Sequence, residues 1–430
     1  MDHASAVDQG TRQVIVPAMT ENLFSVLSAR GFVAQTTDAA ISERLVQPLA
    51  AYIGFDPTAD SLHVGSLVPI MGLVHLQRCG HRPLVLVGGA TALVGDPSGK
   101  SEMRRMLTRA DIDSNAAAIA QQIGSVLRFD DTPTGAKLLN NADWLAELNW
   151  IELLREVGAC FSVNRMLSMD SVKGRLESGG ISFLEFNYMV MQAYDFLHLY
   201  RTCGCTLQMG GQDQWGNIVM GIELARRKAE AELAGLTFPL VTKSDGSKFG
   251  KSEKGNIWLS AQRTPIYDFF QFWRNTADAD VRKFLYLFTL LPSDEVMRLT
   301  EQGGEHLNQA KEALAFEVTT IIHGQAAADQ ARADARRAFG AAQDVGGDSL
   351  PHARLGLAEL EAGLGLVTLL VRAELAASNG EARRLVQQGG ISLHGQRVDD
   401  PQRSITTADL RDGYILLKAG KKRLFRFDVG

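Results

Sequence analysis

Ten residues, Lys243-Ser-Asp-Gly-Ser-Lys248-Phe-Gly-Lys251-Ser252, hold three lysines and two glycines. Lysines on a flexible loop can close over a polyphosphate and neutralise charge that grows during a displacement. A solvated lysine-rich loop is the plainer reading. Far upstream, Tyr52-Ile-Gly-Phe-Asp-Pro-Thr-Ala-Asp-Ser-Leu-His-Val-Gly-Ser66 packs a strand end, a tight turn and a helix start into 15 residues. Asp60 or Ser61 can cap that helix, with His63 in its first turn. A helix start offers free N–H groups and a positive dipole end to a phosphate, and Gly65 leaves backbone bare for a base or ribose. An ordinary strand-to-helix turn with a polar cap also fits. A P-loop does not, because Gly246 to Gly250 and Gly95 to Gly99 each enclose three residues where that nest needs four.

In Tyr188-Met-Val-Met-Gln192-Ala-Tyr-Asp195, polar groups at i, i+4 and i+7 share one face of an apolar helix. A carboxylate buried there needs a donor. A substrate phenol is one such donor; a neighbouring Arg or a backbone amide is another. Gln208-Met-Gly-Gly-Gln-Asp213-Gln214 follows a predicted strand, and its paired glycines let backbone approach a ligand or simply make a turn.

These segments need a scaffold at strand ends. Leu49 to Phe55 and Leu84 to Gly89 read as buried parallel strands, and Leu67, Ile70, Met71 and Val74 form the apolar stripe of a helix between them. Strand and helix alternate as in a doubly wound α/β fold, whose site lies at the carboxyl ends of its strands. We expect this Rossmann-like parallel-sheet domain over 21–265, after a mobile N-terminus at 1–20. Residues 266–343, rich in Ala, Leu, Glu and Arg, predict a helical domain, 344–359 a linker, and 360–430 a small α+β domain.

At 430 residues, 45% hydrophobic and 22% charged, the chain is neither disordered nor short of core. No run of about 18 apolar residues marks a membrane span, and the start lacks a signal-peptide pattern, so a cytoplasmic protein is expected. Cys79, Cys160, Cys203 and Cys205 are too few and scattered for a disulfide scaffold; Cys203-Gly-Cys205 has no second pair nearby, so reduced thiols and no zinc are expected. The net charge of −5 excludes a uniformly basic coat. Charge is nonetheless divided: from Leu360 onward 11 basic residues face 8 acidic ones, so the preceding residues carry −8.

The segment from Tyr52 to Ser66 resembles the adenylate-site signature of class I aminoacyl-tRNA synthetases, in the version found in bacterial tyrosyl-tRNA synthetases. The signature usually ends in His where Ser66 stands; serine donates a hydrogen bond but carries no charge. The lysine loop resembles the mobile loop of the same class, with Lys248 and Lys251 at its two lysine positions. Four motifs in the family's order span most of residues 50 to 255. The resemblance implies that Tyr52 and Asp195 bind the phenolic hydroxyl of tyrosine and that Asp96, Tyr188 and Gln192 face its ammonium group. It places Gln214 near the carboxylate and Asp213 on the ATP ribose, with His63, Gly65, Ser66, Lys248 and Lys251 around the rest of ATP. Thr58, His63, Lys248 and Lys251 then supply donors for the displacement at the α-phosphorus, with Mg²⁺ on the leaving pyrophosphate. A carboxylate nucleophile is already ionised, so no general base or nucleophilic triad is required.

Downstream, Ser378-x-x-Glu-Ala-Arg-Arg-Leu-Val-Gln-Gln-Gly-Gly390-Ile and Leu393-His-Gly-x-x-Val-x-Asp-Pro401 resemble the small RNA-binding module shared with a ribosomal small-subunit protein. Arg383, Arg384, Lys421, Lys422 and Arg423 would be its phosphate-contacting face, or a solvated charged surface. The resemblance implies a tyrosine-activating enzyme whose partners are L-tyrosine, ATP and tRNA(Tyr), with 266–343 on the anticodon side and a homodimeric assembly. Two rivals stand beside it: a tryptophan-activating relative, against which Tyr52 and Asp195 argue, and a catalytically retired paralogue that only binds RNA, suggested by Ser66.

Overall fold

The computed structural model describes residues 21–98, 107–246, 249–252, 255–339, 350–420 and 423–430. The expected mobile N-terminus, residues 344–349 of the linker, Lys248, Lys421 and Lys422 lie outside these. The chain divides into two compact units, one of residues 1–259 with 277–301, the other of 260–276 with 302–430.

The first unit is built on six strands: β1 (Gln35–Thr36), β2 (Ala50–Phe55), β3 (Arg82–Val87), β4 (Lys137–Asn140), β5 (Cys205–Gly211) and β6 (Ala234–Phe238). Their spatial order is β1-β6-β5-β2-β3-β4, all parallel except the edge pair β1–β6. The chain winds outward from β2 through β3 to β4 and then returns to β5 beside β2. The order therefore reverses between β2 and β5, where an α/β sheet opens its crevice. Tyr52 pairs in register with Leu84 on one side and Gln208 on the other.

The helix Leu67–Arg78 connects β2 to β3. The expected stripe of Leu67, Ile70, Met71 and Val74 is buried, but Val68, Leu73 and Leu76 are buried as well. The helix has cover on more than its sheet side, because the helices Leu23–Ala29 and Asp278–Phe288 also pack on it. Gly72 permits its close seat, since a Cβ there would stand 2.5 Å from the Phe238 ring.

Two boundaries differ from expectation. Asp278–Phe288 and Ser293–Thr300, expected in a separate helical domain, group with the sheet. Val281, Phe284, Leu285 and Phe288 bury the inner face of the first, and the Arg30 guanidinium donates to the carbonyls of Tyr286 at 3.0 Å, Thr289 at 2.9 Å and Leu291. The C-terminal module also starts before 360. His352–Leu355, expected in the linker, pairs parallel with Arg423–Val429, a long-range partner that no local pattern announces.

In the second unit, Ile266–Arg274 packs against Leu307–His323 and Gln325–Phe339. A five-stranded sheet follows, in the order Gln396–Val398, Ile391–Leu393, Tyr414–Ala419, Arg423–Val429, His352–Leu355. Leu366–Arg372 and Asn379–Gln387 bury Leu369, Leu370 and Val386 with Ile391, Ile415, Leu417 and Phe427 in one core.

Candidate active site

A cavity of about 640 Å³ opens at the carboxyl ends of β2, β3 and β5. Eleven of the expected site residues line it: Tyr52, Thr58, His63, Gly65, Ser66, Asp96, Tyr188, Gln192, Asp195, Asp213 and Gln214. Lys251 has its backbone in a two-residue strand, Lys251–Ser252, paired with Gly255–Asn256.

The buried end is polar. Tyr52, on β2, is 1% exposed, and its hydroxyl has no hydrogen-bond partner among the described residues. Asp195, 2% exposed, comes from the helix Tyr188–Cys203, whose spacing puts Tyr188, Gln192 and Asp195 on the cavity side. Its protein donors are neither an Arg nor a backbone amide. Asn141 Nδ2 donates to Oδ2 at 3.0 Å and Trp144 Nε1 donates to Oδ1 at 2.8 Å. Burial pushes the Asp195 carboxyl up to about 7 against the pull of those two donors, and Asp56 adds to the rise. The Tyr52 phenol is raised too, by burial first and the charge of Asp195 second. Gln208, beside Tyr52 on β5, also lines the cavity, and its Oε1 has no hydrogen-bond partner among the described residues. A pocket floor with an unpartnered hydroxyl and a carboxylate reluctant to ionise suits a ligand that brings its own polar hydrogen.

Around this floor the side chains brace one another. Asn141 Nδ2 also donates to Thr91 Oγ1 at 3.0 Å, Thr91 donates to Asp56 Oδ1 at 2.8 Å, and the Tyr188 hydroxyl donates to Asp56 Oδ2 at 2.8 Å. Gln214 Nε2 donates to Asp96 Oδ2 at 2.7 Å, while Asn217 Nδ2 donates to Gln192 Oε1 at 2.9 Å and Gln214 Oε1 at 3.1 Å. Sequence reasoning missed Asn141, Trp144 and Thr91, and gave no role to Asp56 or Asn217. Their position was the available signal: Asp56, Thr91 and Asn141 all follow the carboxyl ends of strands.

The outer end is organised by backbone. His63, rather than Asp60 or Ser61, caps the turn: its Nδ1 accepts from Gly65 N at 3.0 Å, and Ser61 Oγ instead donates to the Leu62 carbonyl. With Nδ1 accepting, a neutral imidazole carries its proton on Nε2. The ring lies so close over residue 65 that a Cβ there would meet Cε1 at 2.7 Å, so glycine is required. The lysine-loop segment joins this turn. Ile257 N donates to Gly250 O at 3.0 Å, Val64 N to Ile257 O at 2.9 Å and Leu259 N to Leu62 O at 2.8 Å. Gly250, at φ +83°, would place a Cβ 3.0 Å from Val64. Phe249 stacks on Phe288 with ring centres 5.3 Å apart, and Ser244 donates to Asp280 through N and Oγ, both at 3.0 Å. Two motifs some 185 residues apart thus meet at one cavity.

In the C-terminal module Arg383, Arg384 and Arg423 are exposed. Gly420 N donates to Gly390 O at 2.7 Å, joining the turn that precedes Arg423 to the turn that follows the Arg383–Arg384 helix. The Arg397 guanidinium covers Gly389, where a Cβ would have no room.

Comparison with known proteins agrees with this arrangement. The family of class I tRNA synthetases (W and Y) matches residues 45–340, and the tyrosine–tRNA ligase SYY-like C-terminal domain matches 348–427. The chain is 52% identical over 401 residues to a tyrosine–tRNA ligase of Rhizobium meliloti, covering 92% of this chain and 96% of that one. It is 49% identical to that of Agrobacterium fabrum, with the same coverage. A C-terminally truncated mitochondrial tyrosyl-tRNA synthetase from Aspergillus nidulans superposes with a TM-score of 0.67 at 30% identity, over 74% of this chain and 94% of that structure. With matches at both ends of the chain and at this level of identity, the protein belongs to the class I tRNA synthetases, in their tyrosine–tRNA ligase branch.

Proposed function

We propose that the cavity activates L-tyrosine with MgATP, giving tyrosyl-adenylate and pyrophosphate, and that the enzyme then transfers tyrosine to the 3′ end of tRNA(Tyr). The observation that carries this reading is the floor: the Tyr52 hydroxyl and the Asp195 carboxylate are both buried, both line the cavity, and lie near enough for the charge of Asp195 to raise the Tyr52 phenol. A phenol donates to Asp195 and pairs with Tyr52; phenylalanine would leave both unsatisfied, and the larger indole of tryptophan has no hydroxyl to offer. Asp96, Tyr188 and Gln192 receive the ammonium group, and Gln214 stands by the carboxylate. Tyr188 donates its proton to Asp56, so toward an ammonium group its oxygen acts as an acceptor.

Tyrosine's carboxylate then faces the α-phosphorus of ATP, with Asp213 on the ribose and Gly65 and Ser66 beside the nucleotide. Alignment does most of the work, and the charge leaving with pyrophosphate is met by Thr58, the Nε2 proton of His63, Lys248 and Lys251. ATP–pyrophosphate exchange run separately with tyrosine, tryptophan and phenylalanine tests the reading. Exchange with tyrosine alone is expected; exchange with tryptophan would favour the other branch, and none with any amino acid would mean a retired site.

For tRNA, Arg383, Arg384, Lys421, Lys422 and Arg423, with Arg397 added, supply phosphate contacts on the C-terminal module. Replacing Arg383 and Arg384 by Ala should weaken tRNA binding and flatten its salt dependence while leaving pyrophosphate exchange intact. A homodimer completes the reading. Among the described residues, nine of the thirteen most exposed large apolar side chains fall between 138 and 184, Phe183 the barest at 70%. Such a concentration favours a second copy as cover. Phe183→Asp should shift sedimentation toward the monomer. No described helix is long and apolar enough to cross a membrane, and a cytoplasmic reaction is part of the proposed reading.

A further inference from the structure

The donor that holds Asp195 is itself held. Trp144 sits on Ala142–Leu145, a helix of a single turn, which cannot by itself fix the plane of an indole. The His198 imidazole lies flat against that indole, ring centres 4.3 Å apart and planes 13° apart. His198 is three residues after Asp195 on the same helix, so the two are neighbours along one face. One rigid element therefore carries both the acceptor and the ring that sets the angle of its donor. His198 is not among the residues that line the cavity.

We propose that His198 is a positioning residue for tyrosine recognition, acting through the Trp144 indole to hold the Nε1–H on Asp195. The proposal rests on the reading that Asp195 meets the substrate phenol. The stack fixes the indole plane, the indole fixes one carboxylate oxygen, and the other oxygen is fixed by Asn141. A carboxylate so held presents its remaining lone pairs in one direction. Burial and the nearby Arg201 both favour the neutral imidazole, which stacks on indole without a charge to desolvate.

The variants His198→Ala, His198→Phe, Trp144→Phe and the double variant His198→Ala/Trp144→Phe test this in the full-length enzyme by pyrophosphate exchange. His198→Ala should raise the KM for tyrosine about three- to tenfold, the worth of one aromatic pair, with the KM for ATP unchanged. His198→Phe, which keeps a flat ring, should restore the KM to within about twofold. The double variant should be no worse than Trp144→Phe alone, because both changes break one chain of contacts. A silent His198→Ala, additive effects in the double variant, or a His198→Phe as impaired as His198→Ala would each overturn the proposal. Asp195→Asn separates the two readings. If it leaves the KM for tyrosine unchanged, the phenol site is misplaced and the proposal falls with it; if it raises that KM steeply while His198→Ala is silent, only the positioning role is lost.

Discussion

The two ends of the cavity are built on different principles. At the closed end, side chains from just beyond the ends of β2, β3 and β4 and from the helix Tyr188–Cys203 hydrogen-bond to each other, so that Asp195 is held before any ligand arrives. At the outer end, main-chain bonds tie the His63 turn to the 250–259 segment, while Thr58 stands exposed. Discrimination between amino acids differing by one hydroxyl demands preorganised, desolvated partners, because an unmatched group is then costly. Phosphoryl chemistry demands donors that gather as charge develops, which a turn and a loop can supply. The inner end should therefore govern tyrosine binding and the outer end the rate.

Asp195→Asn should give the largest effect on the inner end. Losing a charge-assisted hydrogen bond to the phenol is worth up to about 3 kcal/mol, or roughly 100-fold in the KM for tyrosine, with ATP binding unchanged. If the phenol donates to the ionised Asp195, the wild-type enzyme should also bind tyrosine more tightly as pH rises through about 7. Asn would abolish that dependence. The free protein has the opposite trend. A carboxyl whose folded pKa is raised contributes stability present below its unfolded pKa and lost as pH rises through about 7, so tyrosine protection against thermal unfolding should be larger at pH 8 than at pH 6. Calorimetry across that range, with and without tyrosine, checks the sign.

Lys251→Ala should mirror this at the outer end. The single-turnover rate of adenylate formation should fall about 100-fold while the tyrosine dissociation constant stays within about twofold. A rate unchanged with binding weakened would reverse the division between the two ends.

Within the outer end, His63→Ala should cost about tenfold or more in adenylate formation, for it removes both the Nε2 donor and the cap on Gly65 N. Ser66→Ala removes one neutral donor that caps nothing by its side chain, and should cost less. An inactive Ser66→Ala beside an intact His63→Ala would transfer the role to the serine.

The inner end was also the more legible in sequence, and only in part. Tyr188, Gln192 and Asp195 could be read together because helical spacing is a local property. Asn141 and Trp144 could not, since they reach Asp195 from a segment over 50 residues away, where only the sheet's winding brings them near. The cap was misread because Asp60 and Ser61 are the commoner capping types, whereas the imidazole wins here by lying over a glycine. Similarly, composition announced helices over 266–343 but not that Asp278–Phe288 groups with the sheet unit. The strand at His352–Leu355 is visible only through its partner at Arg423–Val429.

The smallest effect expected is at Tyr52, and it measures how far the inner end is prepared for its ligand. The hydroxyl is fully buried without a partner among the described residues, a group that the phenol of a bound tyrosine would pair. Tyr52→Phe removes that group while keeping the ring that meets Phe196 edge-on with centres 5.3 Å apart. The free protein should then be no less stable, and its melting temperature should hold or rise. Tyrosine loses one neutral hydrogen bond of about 1 kcal/mol, so its KM should rise only about fivefold, with the rate constant for adenylate formation little changed. Discrimination against phenylalanine should narrow by a similar factor, because the variant no longer penalises a missing hydroxyl at that point. A marked fall in melting temperature with tyrosine binding unaltered would mean that the hydroxyl serves the fold rather than the substrate.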